Sequence, residues 1–428
     1  MMSTTAPLAP LPWWRRLPFF GWIVLGLILG LVAGKMFGEQ MLGWKIVSGL
    51  VLQGLQLLAT PLIFVAVTLS LLRAVISGRS GLKLGWLLIT NTLMAILIGL
   101  VVVNVLKPGA GASLTPPSES DHAGMKSKRE FNIVDDLIRK LIPKSIAGPF
   151  VENDILAVVI LALAVGFSLR AVRKHPEHAA GVALVEQLLD TIFQIILKLL
   201  HGIFFFVPLA VFCVVAAVVG KEGFAALAKF GYFVIAVLVA LGLQAVFYLT
   251  RLRLGSWVRP GRFFKGGIDA LVMAFSTASS TATLPVTYEC ARHKIGLREE
   301  NARLGTMVGG NLNNDGTALY EAMAALFIAQ ALGMDLGPLQ QLIIVVMAVI
   351  ASVGAAGIPE AGLVTMMAVF SATKLPLDYI PLLLTVDWFL DRCRTSINVM
   401  GDLTVSSILD GKTPEASVEA QGTSGGGN

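Results

Sequence analysis

The sequence predicts an all-α polytopic membrane protein: eight transmembrane helices plus two re-entrant helical hairpins, the second half built as inverted repeats. Three observations carry this. Of 428 residues, 55% are hydrophobic and 14% charged, against roughly 25% charged in a soluble domain. The mean hydropathy is +0.77, more apolar surface than a soluble chain of this length can bury. Apolar runs of membrane-spanning length, about 20 residues, recur along the chain. Near its end two shorter apolar segments close on polar tips. The same arithmetic excludes a soluble enzyme, a disordered protein and a disulfide scaffold. Cys213, Cys290 and Cys393 form neither a pairing pattern nor a C-x-x-C metal spacing. The net charge of +6 does not indicate a nucleic-acid partner, because the basic residues sit between apolar runs, where they orient membrane helices.

The first run, 19–38, follows Trp13-Trp14-Arg15-Arg16 and is followed by no small-residue cleavage site. It reads as a membrane helix, with 1–18 cytoplasmic, and not as a removable signal. Runs 44–73 and 82–106 are the second and third spans. The Pro-, Gly- and Ser-rich stretch 107–131 is an extracellular loop, and 132–150 is a short amphipathic surface element. Spans resume at 152–172, 182–219 and 224–254. If each crosses once, Arg15/Arg16, Arg73/Arg79/Lys83, Arg170/Arg173/Lys174 and Arg251/Arg253/Arg259 share one side. That side is cytoplasmic, and so are both termini. The basic residues of 107–150, among them Lys126, Arg129 and Lys144, run against this rule.

After residue 260 the apolar run Gly267–Phe275 ends at Ser276-Thr-Ala-Ser-Ser-Thr-Ala-Thr283. It is too short to cross twice and too polar at its tip for lipid, so it reads as a re-entrant hairpin held within protein. Residues 338–373 repeat the plan around the tip Gly354–Gly362. Each hairpin precedes a helix with polar groups at membrane depth, 302–332 and 377–410. Paired broken segments of opposite topology point to a midplane binding site in a transporter.

In the last helix Asp387, Asp391, Arg394, Thr395, Asn398 and Asp402 fall within one arc of about 100°. Such a stripe must face protein or a water-filled cavity, because charge in hydrocarbon costs several kcal/mol. Arg394 can receive a carboxylate bidentately, and Asp391 can accept from an ammonium. One turn thus offers both poles of an acidic α-amino acid. Gly309, Gly310 and Gly316 weaken the helix around Asn311–Thr317, where Asp315 and the Asn side chains supply oxygens for a hard cation such as Na⁺. Asp315 with Asp402 makes a cation site shared between two helices. Ser279 and Ser280 can bind a carboxylate at the start of a half-helix. The Gly-rich tip 354–362 allows close backbone approach. Glu321, isolated at membrane depth, is a candidate proton acceptor.

Ser279–Pro285, Asn313–Glu321, Gly354–Met366 and Val386–Asp402 resemble the glutamate transporter family, the excitatory amino acid transporters and their prokaryotic aspartate-transporting relatives. The resemblance implies a homotrimer of elevator-type transporters in the plasma (inner) membrane. It implies a scaffold from 19–81 and 132–220, and a mobile transport domain from 82–106 and 221–410. Within the latter lie the hairpins 261–290 and 338–373. A disordered cytoplasmic tail would follow at 411–428. The implied function is secondary symport of L-aspartate or L-glutamate with Na⁺ and/or H⁺, and not an enzymatic one. The alternatives are a proton-coupled C4-dicarboxylate carrier and a neutral amino acid exchanger with an anion conductance.

By the same resemblance Arg394 would bind the side-chain carboxylate and Asp391 the amino group. Thr317, Thr395, Asn398 and the backbone at Ser279, Ser280, Ile358 and Gly362 would complete the substrate shell. One Na⁺ would use Gly309, Asn313, Asn398 and Asp402. A second would use Asn91, Thr92, Asn313 and Asp315, and a third Ser352, Val353 and Ala355. Here the chain departs from the family pattern. Asn314 replaces a Met, Asn311 a Thr, and Asn91-Thr92 a Thr pair. Pro359-Glu360 puts an acid at the second tip. Arg392, with Ala278 in the first tip, and Glu321 resemble the animal branch, in which that Glu carries a proton.

Overall fold

The computed structural model describes residues 19–73, 78–111, 145–153, 155–354, 361–373 and 375–414. The N-terminal segment 1–18, most of the stretch read as an extracellular loop and surface element (112–144) and the tail from 415 lie outside these. So do Ala355, Ile358, Pro359 and Glu360 of the second tip, and the side chain of Val353. Among the described residues every regular element is helical.

The first three spans are α1 (Phe19–Phe37), α2 (Lys45–Arg73) and α3 (Gly78–Leu106). Then follow α4 (Ile155–Val172), α5 (Pro176–Phe204), α6 (Val207–Glu222) and α7 (Phe224–Gly255). The run 182–219 is therefore not one helix. It breaks between Phe204 and Val207, where Pro208 lies in the first turn of α6. Proline has no N–H to donate, and its ring crowds the carbonyl four residues back, here that of Phe204. Gly26, Gly30 and Gly34 of α1 recur at helical spacing along α6. A Cβ on Gly30 would lie 2.8 Å from the Phe212 carbonyl oxygen and one on Gly34 2.7 Å from that of Ala216. This small-residue seam lets two membrane helices pack backbone to backbone.

The first hairpin is α8 (Pro260–Thr277) and α9 (Ser280–Glu289). Its first arm is twice the length of the apolar run that marked it, because the helix begins at Pro260, in the polar approach. Ala278 turns the chain in the left-handed region at φ 52°. Next come a π-helical segment Leu304–Val308, a turn Gly309–Leu312 and, after a break at Asn313-Asn314, α10 (Asp315–Ala331). The second hairpin is α11 (Pro338–Gly354) and α12 (Ala361–Ala372), and α13 (Ile380–Leu409) closes the fold.

Among the described residues five helical stretches are long and apolar enough to cross a membrane: Gly21–Trp44, Ile46–Arg73, Ser80–Leu106, Pro176–Phe204 and Phe230–Gly255. Repeated spans of this length and composition are those of a multi-pass membrane protein. Helix α10 is apolar nearly all round and buried nearly throughout, as expected for a core helix. Phe327 stacks on Phe233 of α7 with centroids 4.5 Å apart. By contrast α5 leaves Leu184, Leu188, Ile195 and Leu199 exposed, a surface suited to lipid.

The helices pack in two groups. Helices α1, α2, α4, α5 and α6 pack on one another, and α3 packs with α7 to α13. The groups meet chiefly where α11 and α12 lie against α2 and where α13 meets α6. After α13 the chain is tied down: Gly411 O accepts from Trp257 N at 3.0 Å, and Thr413 O from Arg298 at 2.8 Å.

Candidate functional site

The polar arc of α13 is buried along its whole length, from Asp387 to Asp402. It faces α10, both hairpins and α7. Two separate clusters form on it.

The first centres on Arg394, which is 0% exposed. Its Nη2 donates to Asp391 Oδ1 at 2.9 Å and lies 3.0 Å from Asp387 Oδ1. Its Cζ sits 4.0 Å from the centre of the Tyr320 ring, a cation–π contact that fixes the plane of the guanidinium. Nε and Nη1 have no hydrogen-bond partner. Buried donors are normally satisfied, so two free N–H groups on a buried guanidinium are able to receive a carboxylate. Gly362 of α12 faces this spot, and a Cβ there would lie 3.0 Å from Nη1. Beside it Glu321 is fully buried. Its Oε1 accepts from the Thr365 hydroxyl, while Oε2 is unpartnered.

Both arms of the first hairpin pack against α13. Ser279 caps α9, its Oγ accepting from Ala282 N at 3.1 Å, and Ser280 begins the helix, buried. Arg392 caps the other arm by donating to the carbonyls of Phe275 at 2.9 Å and Ser276 at 2.5 Å. A cation at a helix C-terminus satisfies its free carbonyls and opposes its dipole. Arg392 is thus committed to α8. Thr395 donates to the Asp391 carbonyl at 2.8 Å.

Asn398 ties the clusters together. Its Oδ1 accepts from Gly316 N at 2.8 Å and its Nδ2 approaches Thr317 Oγ1 at 3.3 Å, so its amide holds the first turn of α10. A Cβ on Gly316 would lie 2.8 Å from the Arg394 carbonyl oxygen. The two helices therefore touch at their backbones.

The second cluster surrounds the break at Asn313-Asn314. Asp402 Oδ1 accepts from Asn313 Nδ2 at 2.9 Å, and the same amide donates to the Asn398 carbonyl at 3.1 Å. Asn313 Oδ1 is buried without a partner. Gly310 faces Asp402 Oδ2, and a Cβ there would lie 3.3 Å away. A carboxylate and an orphaned amide oxygen beside a helix break fit a hard monovalent cation. This is the set Gly309, Asn313, Asn398 and Asp402.

The other two cation sets differ from the sequence expectation. Thr92 Oγ1 donates to Asp315 Oδ1 at 2.6 Å, and Tyr248 Oη donates to Asp315 Oδ2. Asn91 Oδ1 accepts from Arg251 Nη1. Of the set Asn91, Thr92, Asn313 and Asp315, Thr92 and Asp315 meet, the Asn313 amide points to Asp402 and Asn398 instead, and a guanidinium holds the Asn91 oxygen. The set does not fit a bound cation. At the third set, Asn314 Nδ2 donates to the Ser352 carbonyl at 3.0 Å, so an N–H stands where the family pattern leads us to expect a Met sulfur. The remainder of that set, Ala355 and the Val353 side chain, lies outside the described residues.

Tyr248, Arg251, Tyr320 and Thr365 were not singled out by sequence reasoning, and Arg251 was read only as an orienting loop charge. A signal existed. Gln244, Tyr248 and Arg251 stand at i, i+4 and i+7 in an apolar helix, the same one-face spacing that exposed the stripe on α13. Tyr320 and Thr365 carry no comparable pattern.

The model of the sodium:dicarboxylate symporter family matches residues 19–412. Excitatory amino acid transporter 1 of Ambystoma tigrinum is 29% identical over 449 residues, spanning 91% of this chain and 81% of the relative. Excitatory amino acid transporter 3 of Oryctolagus cuniculus is 30% identical, spanning 91% and 85%. Excitatory amino acid transporter 1 of Mus musculus reaches 37% over 276 residues, 63% of this chain and 48% of that protein. A match this long, on a chain whose buried arginine, acids and two hairpins form one polar core, makes the protein a member of the sodium:dicarboxylate symporter family.

Proposed function

We propose that this protein carries L-aspartate or L-glutamate across the membrane in symport with Na⁺, with Glu321 carrying a proton. The observation that supports this best is the pair of free donors, Nε and Nη1, on fully buried Arg394. A carboxylate would take both, while Asp391, one turn away, would accept from the substrate ammonium. The backbone at Ser279, Ser280, Ile358 and Gly362, with Thr317, Thr395 and Asn398, would surround the rest of the ligand. Na⁺, when bound, supplies positive charge at Asp402, held by Gly309, Asn313, Asn398 and Asp402. Those residues also fix the break from which α10 and Thr317 start. Binding of ion and substrate is thereby linked through Asn398, which contacts both ends.

In this reading α1, α2, α4, α5 and α6 are the scaffold of a homotrimer. Helices α3 and α7 to α13 move as one elevator, and the second tip is the gate. Eight spans with both termini cytoplasmic complete the topology. The separation of the helices into two packing groups supports this division.

The test is uptake of radiolabelled L-aspartate into proteoliposomes under imposed Na⁺ or proton gradients. We expect Na⁺-driven accumulation of aspartate, abolished in Arg394→Cys, whose substrates should shift to neutral amino acids. Unchanged aspartate uptake in that variant would overturn the site. The family's description names dicarboxylates, which favours a second reading, C4-dicarboxylate transport. Asp391 separates the two: succinate has no ammonium, so Asp391→Asn should impair aspartate uptake and spare or improve succinate uptake if both are carried.

A further inference from the structure

Asp315 is fully buried and carries a charge that must be balanced in a membrane interior. Three side chains of α7 turn toward the region where it meets α3. Tyr248 donates to Asp315, as described above. Gln244 Nε2 approaches the Asn91 carbonyl at 3.4 Å. Arg251 Nη1 donates to Asn91 Oδ1 and, at 2.9 Å, to Thr90 Oγ1, with its Cζ 5.5 Å from the Phe247 ring centre. Its charge acts on Asp315.

The orientation of Asn91 follows from this neighbour. A guanidinium only donates, so the amide must present its oxygen to Arg251 and turn its N–H₂ inward. That Nδ2 is buried and has no partner. A cation placed against Asn91 would therefore meet a guanidinium on one side of the amide and N–H donors on the other. Both repel it. Yet the carboxylate of Asp315 still has its positive neighbour, because Arg251 carries the same single charge as Na⁺.

We infer that Arg251 is a tethered cation that stands in for a bound ion at the Asn91–Thr92–Asp315 cluster, so that this protein couples transport to one Na⁺ fewer than that cluster would otherwise require. The inference rests on the proposed symport. Its consequence is specific: the guanidinium travels with the protein and draws nothing from the Na⁺ gradient, while the site at Asp402 keeps its dependence on the ion.

The experiment compares wild type with Arg251→Ala, Arg251→Gln and Arg251→Lys in two readouts. The first is the melting temperature of purified protein against Na⁺ concentration, with N-methyl-D-glucamine as the replacing cation and no substrate. The slope of stabilisation against ln[Na⁺] counts the ions bound. The neutral variants should gain one ion's worth of slope, Arg251→Lys should not, and the gain should vanish in Arg251→Ala/Asp315→Asn. The second is L-aspartate uptake in proteoliposomes, where the Na⁺ concentration for half-maximal uptake should rise by roughly tenfold in the neutral variants. Millimolar guanidinium chloride should reverse that rise. Equal Na⁺ slopes in wild type and both neutral variants, or a gain that survives Asp315→Asn, would overturn the inference. Wild-type protein that gains stability from Na⁺ but does not take up aspartate would count against the symport reading alone, since the first readout needs no substrate.

Discussion

Arg394 carries two tasks, and conservative substitution separates them. It balances Asp387 and Asp391, and it offers free donors to a ligand. Removing its charge strands two buried acids, which costs about 3–5 kcal/mol when a buried partner is lost. Arg394→Lys keeps the charge but loses the planar fork. We expect the Lys variant to remain folded and to bind L-aspartate about 10- to 100-fold more weakly, read by competition binding on purified protein. Glu321 has one partnered oxygen and one free. Glutamine keeps a group there for Thr365 to meet but cannot release a proton. Glu321→Gln should therefore remove the response of uptake to an imposed pH gradient while retaining exchange of internal for external aspartate. Loss of exchange as well would make Glu321 part of the binding site instead.

Among the elements, the first hairpin and the start of α10 depend on single backbone positions. Ala278 sits in the left-handed region, where a Cβ costs roughly 1–2 kcal/mol. Ala278→Gly relieves that cost and adds chain entropy to the unfolded state. We expect a small net gain, up to about 1 kcal/mol, seen as a higher melting temperature. The opposite holds at Gly316, which touches the Arg394 carbonyl. Gly316→Ala must push α10 from α13, break the Asn398 contact and lower both Na⁺-dependent stabilisation and aspartate affinity. Unaltered binding in that variant would mean the two helices are not coupled through Asn398.

The described helices form two groups that meet chiefly where α11 and α12 lie against α2 and where α13 meets α6. If one group moves as an elevator, a disulfide between cysteines placed on α2 and α12 should stop uptake but leave substrate binding intact. A disulfide between α3 and α10, which pack within one group, should leave both. Arrest by the second cross-link would contradict motion of that group as one body.

Most of the helix plan was legible because period and length are local properties. The stripe from Asp387 to Asp402 could be placed on one face by spacing alone, and the short apolar arms around Ser276–Thr283 and Gly354–Gly362 announced the hairpins. The break at Phe204–Val207 was readable too, from Pro208, but an unbroken apolar run hid it. What spacing could not supply is which donor meets which oxygen. Asn91, Thr92 and Asp315 read as cation ligands because their atoms can bind one. Only the packing of α7 against α3 shows that Tyr248 and Arg251 have taken those atoms. By itself the sequence determined a membrane protein with two hairpins and a buried polar face, since apolar period and charge placement act along one helix at a time. The tertiary structure alone decided which buried groups are satisfied and which remain free for a ligand, because a hydrogen bond between residues far apart in sequence exists only once their helices pack.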